Sequence, residues 1–91
     1  MMKTRVHVLI SGKVHGVWFR ASTRQKAEQL GLLGWVKNTR DGKVEAVFEG
    51  EDDQIQRMIS WCQHGPPLAR VTNVDVQTQS VGSELSGFLI Q

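Results

Sequence analysis

The stretch RVHVLISGKVHGVWFRASTRQKAEQLG, residues 5–31, changes hydrophobic period from two to nearly four within a few positions. Arg5 to Ser11 alternates, with Val6, Val8 and Ile10 on one face and His7, Leu9 and Ser11 on the other. That period predicts a strand. Gly12 and Gly16 then interrupt the alternation, and Gly12 to Phe19 reads as a loop whose backbone takes conformations that a Cβ resists. A helix is predicted over about Arg20 to Leu30. Thr23, Ala27 and Leu30 give it a modest inner face, and Gly31 stands where a C-terminal cap belongs.

The same reading extends outward. Leu33 to Asn38, containing Trp35 and Val36, is a second strand. Thr39-Arg40-Asp41-Gly42 is a hairpin turn, since Asp-Gly tolerates the positive φ of tight turns. A third strand, Lys43 to Glu49, sends Val44, Ala46 and Phe48 one way and Glu45 and Glu49 the other, with Val47 between them. Gly50-Glu51-Asp52-Asp53 opens a second helix, because carboxylates favour the unpaired amides of a first turn. Ile55, Met58, Ile59 and Cys62 form its apolar stripe, and Gly65-Pro66-Pro67 ends it. A fourth strand is predicted over Arg70 to Gln77, with Val74 and Val76 inward and Thr72 in line. After a polar loop, Gln79 to Ser86, the segment Gly87 to Gln91 suits a short closing strand with Phe88 and Ile90 on one face. The order β-α-β-β-α-β, with this possible fifth strand, predicts an α+β ferredoxin-like sandwich: an antiparallel sheet with two helices on one face.

Composition narrows the function. The 91 residues suit one domain, residues 1–91, and 40% hydrophobic with 22% charged residues is an ordinary globular balance. A net charge of +2 is too weak to argue for nucleic acid, and the third strand lacks the basic, aromatic-rich run of RNA-binding domains of the same topology. Cys62 is the one cysteine, so no internal disulfide forms, and a reducing cytoplasmic location is expected. No apolar run approaches the roughly 20 residues of a membrane helix, and Met1 to Arg5 lacks the long apolar core of a signal peptide, so a soluble intracellular protein is expected. His7, His15 and His64 are scattered without ligand spacing, so no metal is expected. Cys62 lies on the apolar stripe and reads as core; so do Trp35 and Trp61, in whole or part, while Trp18 is expected to border a pocket.

Chemistry concentrates in two segments. Gly12-Lys13-Val14-His15-Gly16-Val17-Trp18-Phe19-Arg20 joins a strand end to a helix start, where loop amides and the first helical amides can converge on an anion. Arg20 adds a planar, permanently charged fork. Taken alone, the segment suits equally a plain turn beside a surface arginine. Asn38, at the entry to the hairpin turn, suits either ordinary turn chemistry or the orientation of a water, to which a carboxamide both donates and accepts.

Together the two segments resemble the acylphosphatases. The first signature of that family, Gly-x-Val-(Gln or His)-Gly-Val-x-Phe-Arg, is matched throughout by residues 12–20. The second, Gly-aromatic-small apolar-x-Asn-x-x-x-Gly-x-Val with a further glycine six residues on, is matched by residues 34–50. His15 stands where many members carry Gln. The resemblance implies a hydrolase of carboxyl-phosphate mixed anhydrides, acting as a monomer on small-molecule acyl phosphates without cofactor. It implies that Arg20 binds the phosphate with the main-chain amides of His15, Gly16, Val17, Trp18, Phe19 and Arg20. It implies that Asn38 orients the attacking water, with Thr39 supporting Asn38 or the substrate. The alternative is a phosphate- or anion-binding regulatory module without turnover.

Overall fold

In the computed structural model, which describes residues 2–91, the opening alternation becomes β1 (Lys3–Lys13). It is followed by α1 (Phe19–Gln29), β2 (Leu33–Asn38), β3 (Val44–Glu51), α2 (Asp52–Cys62), β4 (Arg70–Gln79) and β5 (Phe88–Ile90). The five strands form one sheet in the order β4-β1-β3-β2-β5. Every pairing is antiparallel except the last: β5 runs parallel to β2, with Gly34 opposite Phe88 and Val36 opposite Ile90. The four-stranded antiparallel sheet is as expected, and the fifth strand, whose pairing the sequence reading left unstated, makes the whole sheet mixed. The reason is the connection after β4, which crosses from one sheet edge to the other before β5 begins. That is a non-local pairing, and the polar residues between the strands give no sign of it.

One face of the sheet builds the core. Val6, Val8 and Ile10 of β1, Val36 of β2, and Val44, Ala46 and Phe48 of β3 are all buried in one cluster with Ala27 of α1 and Ile55, Met58 and Cys62 of α2. Each such aliphatic side chain contributes about 1.5–3 kcal/mol of transfer free energy, set against the entropy of ordering the chain. Phe88 of β5 closes the cluster by stacking on Phe48, with centroids 5.7 Å apart. The opposite face has no helix on it and is mixed: His7, Lys37 and Glu45 stand beside Leu9 and Trp35, and Val47 and Glu49 are buried there.

The first loop begins later than the glycines suggest. β1 continues through Gly12 to Lys13, and the glycine answers a close backbone approach: with φ 125, a Cβ there would overlap the carbonyl oxygen of Arg70. Opposite it, the register with β4 shifts between Ser11 and Gly12, whose partners are Asn73 and Val71. Thr72 is the extra residue of this bulge and is exposed, so Val71 takes the inward place beside Val74. Val76 keeps its phase but is 39% exposed, because β4 is an edge strand. The fourth strand's predicted inner face thus holds at Val74, holds in direction but not in burial at Val76, and fails at Thr72.

Candidate active site

β1, β2 and β5 run in the same direction, and their C-terminal ends meet at one end of the sheet. Val44 is opposite Ile10 on one side and Asn38 on the other, and Gln91, just past β5, donates its amide to Val36 O at 2.8 Å. Three chain segments are thereby delivered to one place: the loop from Val14 to Trp18, the start of the hairpin turn, and the C-terminal residues. Between them lies a cleft of about 430 Å³. The loop supplies Val14, Gly16 and Trp18 to its wall; α1 supplies Phe19, Arg20 and Ala21; β2 supplies Asn38; and β5 supplies Ile90.

The loop is shaped by two residues in the left-handed region, Gly16 (φ 69) and Trp18 (φ 67, ψ 23). Glycine accepts this without strain; tryptophan does so at a cost of order 1–3 kcal/mol. The turn at Trp18 starts α1, whose first helical bond runs from Ser22 N to Trp18 O at 3.0 Å. The amides of Phe19, Arg20 and Ala21 precede that bond and have no intrahelical acceptor. Among the described residues, the amides of His15 to Trp18 also donate to no main-chain or side-chain oxygen. A run of unpaired amides beside a helix N-terminus is an anion cradle by its partial charges alone. Arg20 stands over it, with Nη1 donating to Gln91 O at 3.2 Å and its other N–H groups left for a ligand.

Asn38 and Arg20 therefore line one cleft, although 18 positions separate them in the chain. The turn after Asn38 is held firmly. Thr39 N donates to Lys43 O at 2.9 Å, and Lys43 N donates to Thr39 Oγ1 at 2.9 Å. The Thr39 hydroxyl donates to Asp41, and this bond, first among several causes, holds the Asp41 carboxyl below its usual range. Thr39 is outside the cleft wall, so its task is to fix the turn that presents Asn38.

The remaining sequence-predicted residues divide. Gly16, Trp18 and Phe19 reach the cleft, although the Phe19 ring itself is buried and meets Trp61 edge-on at 5.6 Å. The side chain of Val17 is buried in the core. His15 is outside the cleft; its Nε2 lies 2.7 Å from Lys43 O, an acceptor, so that nitrogen carries the proton. It ties the loop to the hairpin that carries Asn38. Sequence reasoning missed Val14, Ala21 and Ile90 as wall residues. Only Ile90 left a trace, its alternation with Phe88, and that gave no hint of the parallel pairing that brings it here.

Known proteins resemble this chain in sequence and in fold. A family model described as Acylphosphatase matches residues 6–90. An acylphosphatase of Methylococcus capsulatus is 51% identical over 94% of this chain and 94% of its own. One from Pelotomaculum thermopropionicum is 49% identical over 99% of this chain and 98% of its own. The solved structure of an acylphosphatase from Coxiella burnetii superposes with a TM-score of 0.93 at 47% identity, covering 98% of this chain and 93% of that one.

Proposed function

Because this chain belongs to the acylphosphatase family, we propose that Arg20 and the amides of residues 15–20 bind its substrate's phosphoryl group and that Asn38 places the attacking water. The enzyme hydrolyses acyl phosphates, carboxyl-phosphate mixed anhydrides, to a carboxylate and inorganic phosphate. The one observation that carries the site assignment is that Arg20 and Asn38 line a single cleft with Gly16, Trp18 and Phe19, residues of the loop whose amides are unpaired.

The chemistry requires little beyond this. The water oxygen attacks phosphorus in line with the departing acyl oxygen; the P–O bond breaks with its electron pair on the carboxylate. A carboxylate leaves readily, so protonation of the leaving group is less necessary than for an alcohol. The water's proton passes to a phosphate oxygen. Catalysis then rests on alignment and on stabilising the equatorial oxygens. The amides and Arg20 supply the second, and the Asn38 carboxamide, accepting from and donating to the water, supplies the first.

The test is turnover of benzoyl phosphate in the presence of a chelator. Asn38→Ala should lower kcat on the order of a hundredfold, about 3 kcal/mol, and change KM little. Arg20→Lys, which loses the fork, should lower kcat at least as far and raise KM. Near-normal kinetics in either variant defeats that residue's role, and loss of wild-type activity to the chelator defeats the metal-free, cofactor-free reading. The proposal extends to the setting: residues 1–91 as one domain, acting as a cytoplasmic monomer, with no nucleic acid or membrane partner. The lone buried cysteine supports a reducing compartment, and no helix among the described residues is long and apolar enough to cross a membrane. Gel filtration checks the monomer.

A further inference from the structure

Among the described residues, Arg20 and Asn38 are the only polar side chains in the cleft wall. Val14, Trp18, Ala21 and Ile90 line it as well, with apolar side chains. Two of these residues carry side chains that the core does not use. Trp18 is 76% exposed, takes no part in the core, and holds a left-handed backbone conformation that bulky residues avoid. Ile90 is 40% exposed, one turn of the pleat beyond Phe88, which already closes the core. Both face the cleft in which Arg20 is the sole cation among the lining residues.

We infer that Trp18 and Ile90 form the acyl subsite, and that it selects acyl phosphates whose acyl group is uncharged and apolar, aromatic ones foremost. The inference rests on the placement of the phosphoryl group at Arg20 proposed above. A cleft of about 430 Å³ far exceeds a phosphoryl group, one phosphorus and its oxygens, given that a single water takes about 30 Å³ of liquid. What remains is the space outside the scissile bond, which the acyl group must enter. An indole face offers broad contact with only two torsions to fix. A ring on the acyl group stacks against it, which adds roughly a two- to tenfold preference beyond area alone. A second carboxylate or phosphate on the acyl group finds no second cation in the wall and loses hydration without return.

The experiment compares kcat/KM for benzoyl, acetyl and succinyl phosphate, with inorganic phosphate as competitive inhibitor. The wild-type chain should favour benzoyl over acetyl, and acetyl over succinyl. The benzoyl-to-acetyl ratio should fall roughly five- to tenfold in Trp18→Gly and in Ile90→Ala, and largely return in Trp18→Phe. Glycine is chosen because it keeps the left-handed turn. Ratios that do not move, or a wild-type chain indifferent to the acyl group, overturn the inference and leave the hydrolase intact. So does a parallel loss on all substrates together with weaker phosphate inhibition, which locates the damage at the phosphate end. A wild-type chain inert toward all three removes the phosphate placement as well.

Discussion

Trp18 combines a strained backbone with an exposed indole, and the two together make a stability prediction. Replacing it with glycine removes the strain and should raise the urea midpoint by the equivalent of about 1 kcal/mol, while activity on aromatic substrates falls. A lower midpoint would mean that the indole is packed against the loop and not merely presented by it. Gly34 is the converse case. Its φ is 145, and a Cβ there would overlap Val47 O. Gly34→Ala should destabilise by at least about 3 kcal/mol in the same titration, because strand backbone must move. Much at this scale was legible in the sequence: the glycines of the first loop announced special backbone, and positions 20 and 38, singled out as candidates, line one cleft. The left-handed conformation at Trp18 was not, because the residue type argues against it and only the tertiary requirement to start α1 there imposes it. Nor was the bond from Arg20 to Gln91, which spans most of the chain.

Single elements carry their own tests. On the open face of the sheet, His7 Nε2 lies 2.7 Å from Glu45 Oε2, and this bond, first among the causes, holds the Glu45 carboxyl below its usual range, with Lys37 adding to it. A depressed carboxyl contributes stability above its unfolded pKa and loses it as pH falls through the folded value. Glu45→Gln should therefore cost up to about 1 kcal/mol at pH 7 and less at pH 3, read by denaturant titration at both. In α2, burial pushes the Cys62 thiol up to about 12, so it stays protonated and sheltered. Iodoacetamide should label it only at the rate of unfolding; prompt labelling of native protein would contradict the packing. At the hairpin, His15→Ala should lower kcat several-fold by freeing the turn from the loop, and His15→Gln, which can still donate to Lys43 O, should recover most of it. Element order, both helices and the β2–β3 turn could be read from periodicity and Asp-Gly. The errors fell on β4 and β5, where edge exposure and the bulge at Thr72 blur the alternation, and where strand partners are chosen by distant segments.

Over the whole molecule, one connection decides whether the cleft has a third wall. The chain leaves β4 at one edge and reaches β5 at the other, across the end of the sheet far from the site. Arg5 holds it there: Nε donates to the buried Glu49 at 2.8 Å, Nη2 pairs with Glu84 of the crossing segment, and Gly82 N donates to Glu49 at 3.3 Å. Arg5→Gln strands the Glu49 carboxylate, which is 4% exposed, and should lower the melting temperature. It should also speed amide exchange across residues 80–87; exchange no faster than wild type would show that the crossing holds without its pin. Because β5 ends at Arg20, the polypeptide's two ends have opposite value to anyone handling it. Lys3 pairs with Glu51 at the far end of the sheet, seven strand steps or roughly 24 Å from the cleft, so a purification handle ahead of it stands clear of the site. The same handle joined behind Gln91 emerges at the cleft's own doorway and competes there with incoming substrate.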